Sequence, residues 1–128
     1  MSTQTPAVDA AIVLVRDHFA DHSVEVAPDG AGGAHVVVAD VHVGDQYTPS
    51  TTWLGFHLSA AYPDADVYPL FIGRVVRHDG GSYGEAVQEL EWQGRQALQL
   101  SRRSNGWNPA IDNAALKAEK VIAWFASK

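Results

Sequence analysis

"TTWLGFHL", residues 51–58, alternates without a break: Thr52, Leu54, Phe56 and Leu58 fall on one face, Trp53, Gly55 and His57 on the other. A period of two marks a strand with one face against a core. Downstream, Leu70 to Val76 is a further apolar run, and AYPDADVYP (61–69) between the two is too proline-rich to be a helix and reads as a rigid, extended connection. Upstream, Ser23 to Ala27 carries Val24 and Val26 on one face, and His35 to Val43 carries Val37, Ala39, Val41 and Val43. The turn PDGAGG (28–33) joins them as a hairpin, and because it leads into a strand and not a helix, its glycines do not make a phosphate loop.

Helical spacing bounds this set of strands. Thr5-Pro6 reads as a cap followed by proline at the first helical position, with Val8, Ile12, Val15 and Phe19 recurring behind it to an end near Asp21-His22. At the other end Asp112 is a candidate cap, and Ala115, Ala118, Ile122 and Phe125 line one face. From Arg77 to about Asp112 no regular pattern is evident, and a loop of that length is usually either functional or a mis-assigned stretch of regular structure. The order predicts an α+β fold in a single domain, 1–128: an N-terminal helix, a four-stranded antiparallel meander, a long loop and a C-terminal helix, since the connections are too short for parallel crossovers. Both helices are expected on one sheet face, with Val37, Val41, Leu54, Phe56, Ile72, Ile12 and Phe125 in the core.

Composition narrows the function. With 46% hydrophobic and 19% charged residues the chain reads as an ordinary globular domain. No run approaches the ~18 apolar residues of a membrane span, and the start lacks a basic signal-peptide region, so the expectation is a cytoplasmic protein without a membrane partner. A net charge of −6 argues against nonspecific nucleic-acid binding. The charge is uneven: residues 1–73 hold a single base, Arg16, whereas Arg74, Arg77, Arg95, Arg102 and Arg103 gather in 74–103. Zero cysteines remove disulfides, thiolate metal sites and thiol nucleophiles. His18 and His22 share a helix face but lack a third ligand, and His57 reads as a sheet histidine, so neither a metal nor a cofactor is expected.

The element order, the segment YPDADVYPLF (62–71) and the stretch GRQALQLSRRSNGWNP (94–109) resemble the ubiquitin-conjugating-enzyme family, and most closely its divergent bacterial branch. Tyr62, Pro63 and Pro69 match the family's Tyr-Pro segment loosely, and Trp107 with Pro109 matches its Trp-x-Pro well; the two later helices of the eukaryotic enzymes are missing. The resemblance implies a carrier that takes a ubiquitin-like protein from a ubiquitin-activating-enzyme homologue and passes it to an amine, in operons tied to antiphage defence. It also places Ala97 on the family's catalytic cysteine, a change of engineered or natural origin, and alanine cannot hold a thioester. Three alternatives follow: a carrier with a disabled centre, a carrier using Ser101 as nucleophile with His78 as base, or an inert adaptor of the same fold. Asn105 stands in for the family's oxyanion-stabilising asparagine only if the loop folds back. By the same resemblance Asp9, Asp17 and Asp21 on the first helix would dock the activating enzyme, while the charge distribution makes the stretch with Arg95, Arg102, Arg103 and Trp107 either a partner-facing patch or a solvated loop.

Overall fold

The computed structural model of the protein describes residues 4–128. Helix α1 (Pro6–His18) starts where the sequence places it, with Thr5 Oγ1 accepting from Val8 N at 3.2 Å, a cap contributing about 1 kcal/mol. Val8, Ala11, Ile12 and Val15 form its buried stripe. Helix α2 (Ala114–Ala126) is capped by Asn113, whose Oδ1 accepts from Leu116 N at 3.0 Å. Asp112, the expected cap, instead accepts from Asn108 N at 2.8 Å and closes the preceding turn. On α2 the inward set is Ala114, Ala115, Ala118, Val121 and Phe125, with Ile122 only half-buried.

The strands are β1 (Val24–Pro28), β2 (Ala34–His42), β3 (Tyr47–Thr48), β4 (Thr51–Leu58), β5 (Leu70–Gly73), β6 (Val76–Arg77), β7 (Val87–Trp92) and β8 (Arg95–Leu100). Six of them form one antiparallel sheet in the order β1-β2-β4-β5-β8-β7, while β3 and β6 pair separately. The expected four strands therefore become six in the main sheet. Leu54, Phe56 and Leu58 from β4 pack with Val36 and Val38 from β2 and with Leu70, Ile72, Leu98 and Leu100, all fully buried in the core that also holds Val8, Val15 and Phe125. Each such aliphatic or aromatic side chain stabilises the fold by about 1.5–3 kcal/mol.

Two corrections follow from the backbone. Val37 is not in the core: Val36 and Val38 are, and Val37 is half-buried on the opposite face. Between Val38 and Val41 the β2–β4 register shifts, and Asp40 takes φ 57°, so a bulge swaps the inward parity from even to odd positions. Val41 and Val43 are thus buried as expected, and the valines before the bulge are inverted relative to the reading.

The second correction concerns residues 77–112, which contain β7 and β8. They form a two-residue hairpin in which Gln93 (φ 52°) and Gly94 (φ 74°) both adopt left-handed backbone, the conformation that matches strand twist. The ladder order puts β7 at the far edge, yet its Trp92 stacks on Phe71 of β5 (4.7 Å, 12°) and on Trp53 of β4 (5.8 Å, 18°), and meets His35 of β2 edge-on at 6.0 Å. Beside it, Arg95 reaches Glu25 on β1 at 3.4 Å. The hairpin tip is therefore curled back across the face of the sheet opposite the helices, as the strong twist of a two-stranded ribbon allows. Gly55 is the seat for this aromatic cover, because a Cβ there would overlap the Trp92 ring.

Candidate functional site

The residues singled out around the expected centre do not meet. Ala97 is in the middle of β8, paired with Gly73 on one side and Leu90 on the other, and is 0% exposed. A position expected in an open loop is thus inside the sheet. Ser101 follows the end of β8, half-buried, with its N–H donated to Ala86 O and its Oγ accepting from Gln99 Nε2 at 2.9 Å. His78 belongs to the turn after β6, where its backbone N–H donates to Gln46 O, and no hydrogen bond joins it to Ser101 among the described residues. Asn105 is exposed in the loop after β8. A serine without a base at hydrogen-bond distance keeps its proton and is a poor nucleophile.

What the loop does hold together is a polar clamp. Lys117, on the buried stripe of α2 and only 4% exposed, donates to Asp66 Oδ2 at 3.1 Å and to Ser104 Oγ at 2.7 Å. Ser104 in turn donates from its backbone N and its hydroxyl to the two oxygens of Asp66, at 2.9 and 3.0 Å. Burial pushes the Lys117 pKa below the ordinary lysine value, and the carboxylate opposes that shift. Trp107, expected to face a partner, is half-buried and donates its indole N–H to Pro63 O at 2.7 Å, and the Tyr62 hydroxyl accepts from Ala114 N at 3.2 Å. The segment 62–69, the loop 101–112 and the start of α2 are thereby locked together. Lys117 and Asp66 were not legible as site residues; the one available signal was a lysine on the alanine stripe of the last helix.

The expected docking residues have separate fates. Asp9, Asp17 and Asp21 are exposed on and just after α1, and Val13 and Leu14 between them are 57% and 46% exposed. Arg95 is engaged with Glu25 and sits over the Trp53 ring at 5.3 Å. Arg102 and Arg103 flank a cavity beside α2. His18 pairs with Glu119 at 3.4 Å and His22 Nδ1 lies 2.8 Å from Ala39 O, so the two histidines serve local contacts. Among the described residues no group of three or more acidic, histidine or cysteine side chains could hold a metal ion, and no helix is long and apolar enough to cross a membrane.

A histidine pair lies under the hairpin tip. His57 Nε2 is 2.7 Å from Asp29 Oδ2, and the His35 ring stacks on His57 at 4.6 Å. The bond to His57 and the N–H groups of Ala31 and Gly33 pull the Asp29 carboxyl down to about 2. Burial, and then the neighbouring His57, lower His35 from its ordinary value of 6.5. Both folded-state values lie below the unfolded ones, so both contributions are complete above the unfolded pKa and lost as pH falls. Stability should decline from about pH 6.5 downward through His35, with a second decline below about pH 4 through Asp29. Urea midpoints across pH 3 to 8 check this: His35→Gln should flatten the upper decline and Asp29→Asn the lower one. Unchanged profiles in both variants would assign the pH dependence elsewhere.

No protein family, curated protein or solved structure matches the chain.

Proposed function

We propose that the protein is a binding module with the layout of a ubiquitin-conjugating enzyme and without thioester chemistry, an adaptor that engages a ubiquitin-activating-enzyme homologue in the bacterial cytoplasm. The observation that carries this reading is Ala97: the position aligned with the family's nucleophile is closed inside a strand, in a chain with no cysteine. A group there is out of reach of a partner's acyl end whatever its chemistry. The docking surface in this reading is α1. Its exposed Val13 and Leu14 form an apolar centre, and Asp9, Asp17 and Asp21 give it an acidic rim suited to a basic partner groove.

One variant set tests both halves. Because the chain has no other thiol, Ala97→Cys reports its own accessibility: in the native protein it should react with a disulfide reagent on the order of a hundredfold more slowly than Ser101→Cys, reaching the same rate in urea. With the activating enzyme, a ubiquitin-like protein and ATP, Ala97→Cys should form no reductant-cleavable adduct. The combined Asp9→Lys, Asp17→Lys and Asp21→Lys change should weaken the complex with the activating enzyme about tenfold or more and reduce its salt sensitivity. A rapid thioester on Cys at position 97 would restore the carrier reading. An adduct that survives reductant and disappears in Ser101→Ala would place the nucleophile at Ser101 instead.

A further inference from the structure

The cavity between the loop after β8 and α2 has a volume of about 690 Å³. Arg102, Arg103, Lys117 and Lys120 line it, four of the nine lysines and arginines of the chain. The carboxylate on its wall is Asp112, 3.9 Å from the Lys120 ammonium, while Asp66 lies behind Lys117. So much positive charge in one concavity of a protein with net charge −6 requires a reason.

The arginines themselves supply it. Arg16, Arg74, Arg77 and Arg95 each donate a hydrogen bond to a carbonyl or carboxylate. Among the described residues Arg102 and Arg103 donate none and pair with no acid. Each is held instead by an aromatic ring, Arg102 over Trp124 at 5.5 Å and Arg103 over Tyr68 at 4.6 Å. A cation–π contact of this kind uses the charge of the guanidinium and consumes none of its N–H donors. Two arginines with no acid partner, both lining the cavity with the Lys120 ammonium, suit an anion with several oxygens. A phosphoryl group meets that description, whereas a carboxylate satisfies one guanidinium. The volume is that of a small-molecule pocket, larger than inorganic phosphate needs, and Trp124, Val121 and Ile111 add apolar wall beside the cations.

We infer that this cavity is a binding site for an organic phosphate, with Arg102 and Arg103 gripping the phosphoryl oxygens, Lys120 adding charge, and the Trp124 side taking the organic part. Lys117, spent on Asp66 and Ser104, is a positioning residue that fixes the loop carrying both arginines. The site is independent of the adaptor reading, since it uses neither α1 nor Ala97.

Phenyl phosphate is the probe, titrated into the 15N-labelled full chain. Saturable shifts should be confined to the amides of residues 102–106 and 117–124, with binding tighter than that of inorganic phosphate or of benzoate. Arg102→Gln with Arg103→Gln should weaken it by roughly tenfold or more, as expected for charge-assisted contacts, while Arg16→Gln leaves it unchanged. Both arginine sites are exposed, and an unchanged urea midpoint shows that the double variant is folded. Shifts that never saturate, equal binding of benzoate, or undiminished binding in the double variant would overturn the assignment. A short single-stranded oligonucleotide that binds more tightly than phenyl phosphate and reaches beyond the cavity would replace the small-molecule site with a nucleic-acid surface.

Discussion

Asp66→Ala should destabilise the protein by about 3–5 kcal/mol at pH 7, because it strands the Lys117 ammonium, 4% exposed, with Ser104 as its remaining partner. The sign with pH separates this from ordinary loss of packing. Burial already lowers the Lys117 pKa below 10.5, and removing the carboxylate lowers it further. The folded variant then prefers the neutral amine, so the stability difference from the parent should shrink as pH rises from 7 toward 10. Replacing both charges, Asp66→Leu with Lys117→Met, should recover most of the loss, since an apolar pair of similar volume tolerates burial. Urea unfolding of the three proteins at pH 7 and pH 9.5 measures all of it. A loss under about 1 kcal/mol for Asp66→Ala, or one that does not shrink at high pH, would show that the ammonium finds water.

Trp92→Ala should cost about 3 kcal/mol, since its ring bridges Phe71, Trp53 and His35 across the sheet. Gly55→Leu should cost a comparable amount for the opposite reason, by pushing that ring off its seat. The two changes act at one place, so their costs should not add: Gly55→Leu introduced into Trp92→Ala should cost clearly less than it does alone. The near-parallel Trp53 and Trp92 rings, 18° apart, give a second readout, because aromatic circular dichroism from the pair should be lost in either single variant. Full additivity would mean that the tip does not rest on Gly55.

The parts of the fold that were readable are those in which one residue type decides one backbone choice. Thr5-Pro6 opens α1, and the period of two in 51–58 places Leu54, Phe56 and Leu58 inward. The bulge at Asp40 was not readable, because a run of three valines satisfies either parity until a bulge selects one. Strands β7 and β8 were missed because Gln88, Glu89, Glu91, Gln96 and Gln99 interrupt their apolar pattern, and because Gln-Gly is a weaker turn signal than Asn-Gly. Of the candidate site, the concentration of arginine after residue 73 was visible in the sequence. Which arginines remain free was not, since that depends on Trp124 and Tyr68, brought to the loop by α2 and by the segment before β5.

The curled hairpin also sets how the molecule breathes. Strand β8 joins the sheet through a single ladder to β5, and the tip is held by the aromatic stack and by one exposed ion pair, Arg95 with Glu25. The residues on the other side, from Val8 and Val15 to Phe56 and Phe125, belong to a core that the tip does not touch. The tip can therefore lift while the helices stay docked, as a cooperative unit with its own opening free energy below that of global unfolding. Such an opening uncovers Trp53, Phe71 and His35 together, so amide exchange around residues 91–96 should follow a faster, separate clock from that of β2 and β4, and the rings it exposes would be a sticky surface shown only for the lifetime of that state.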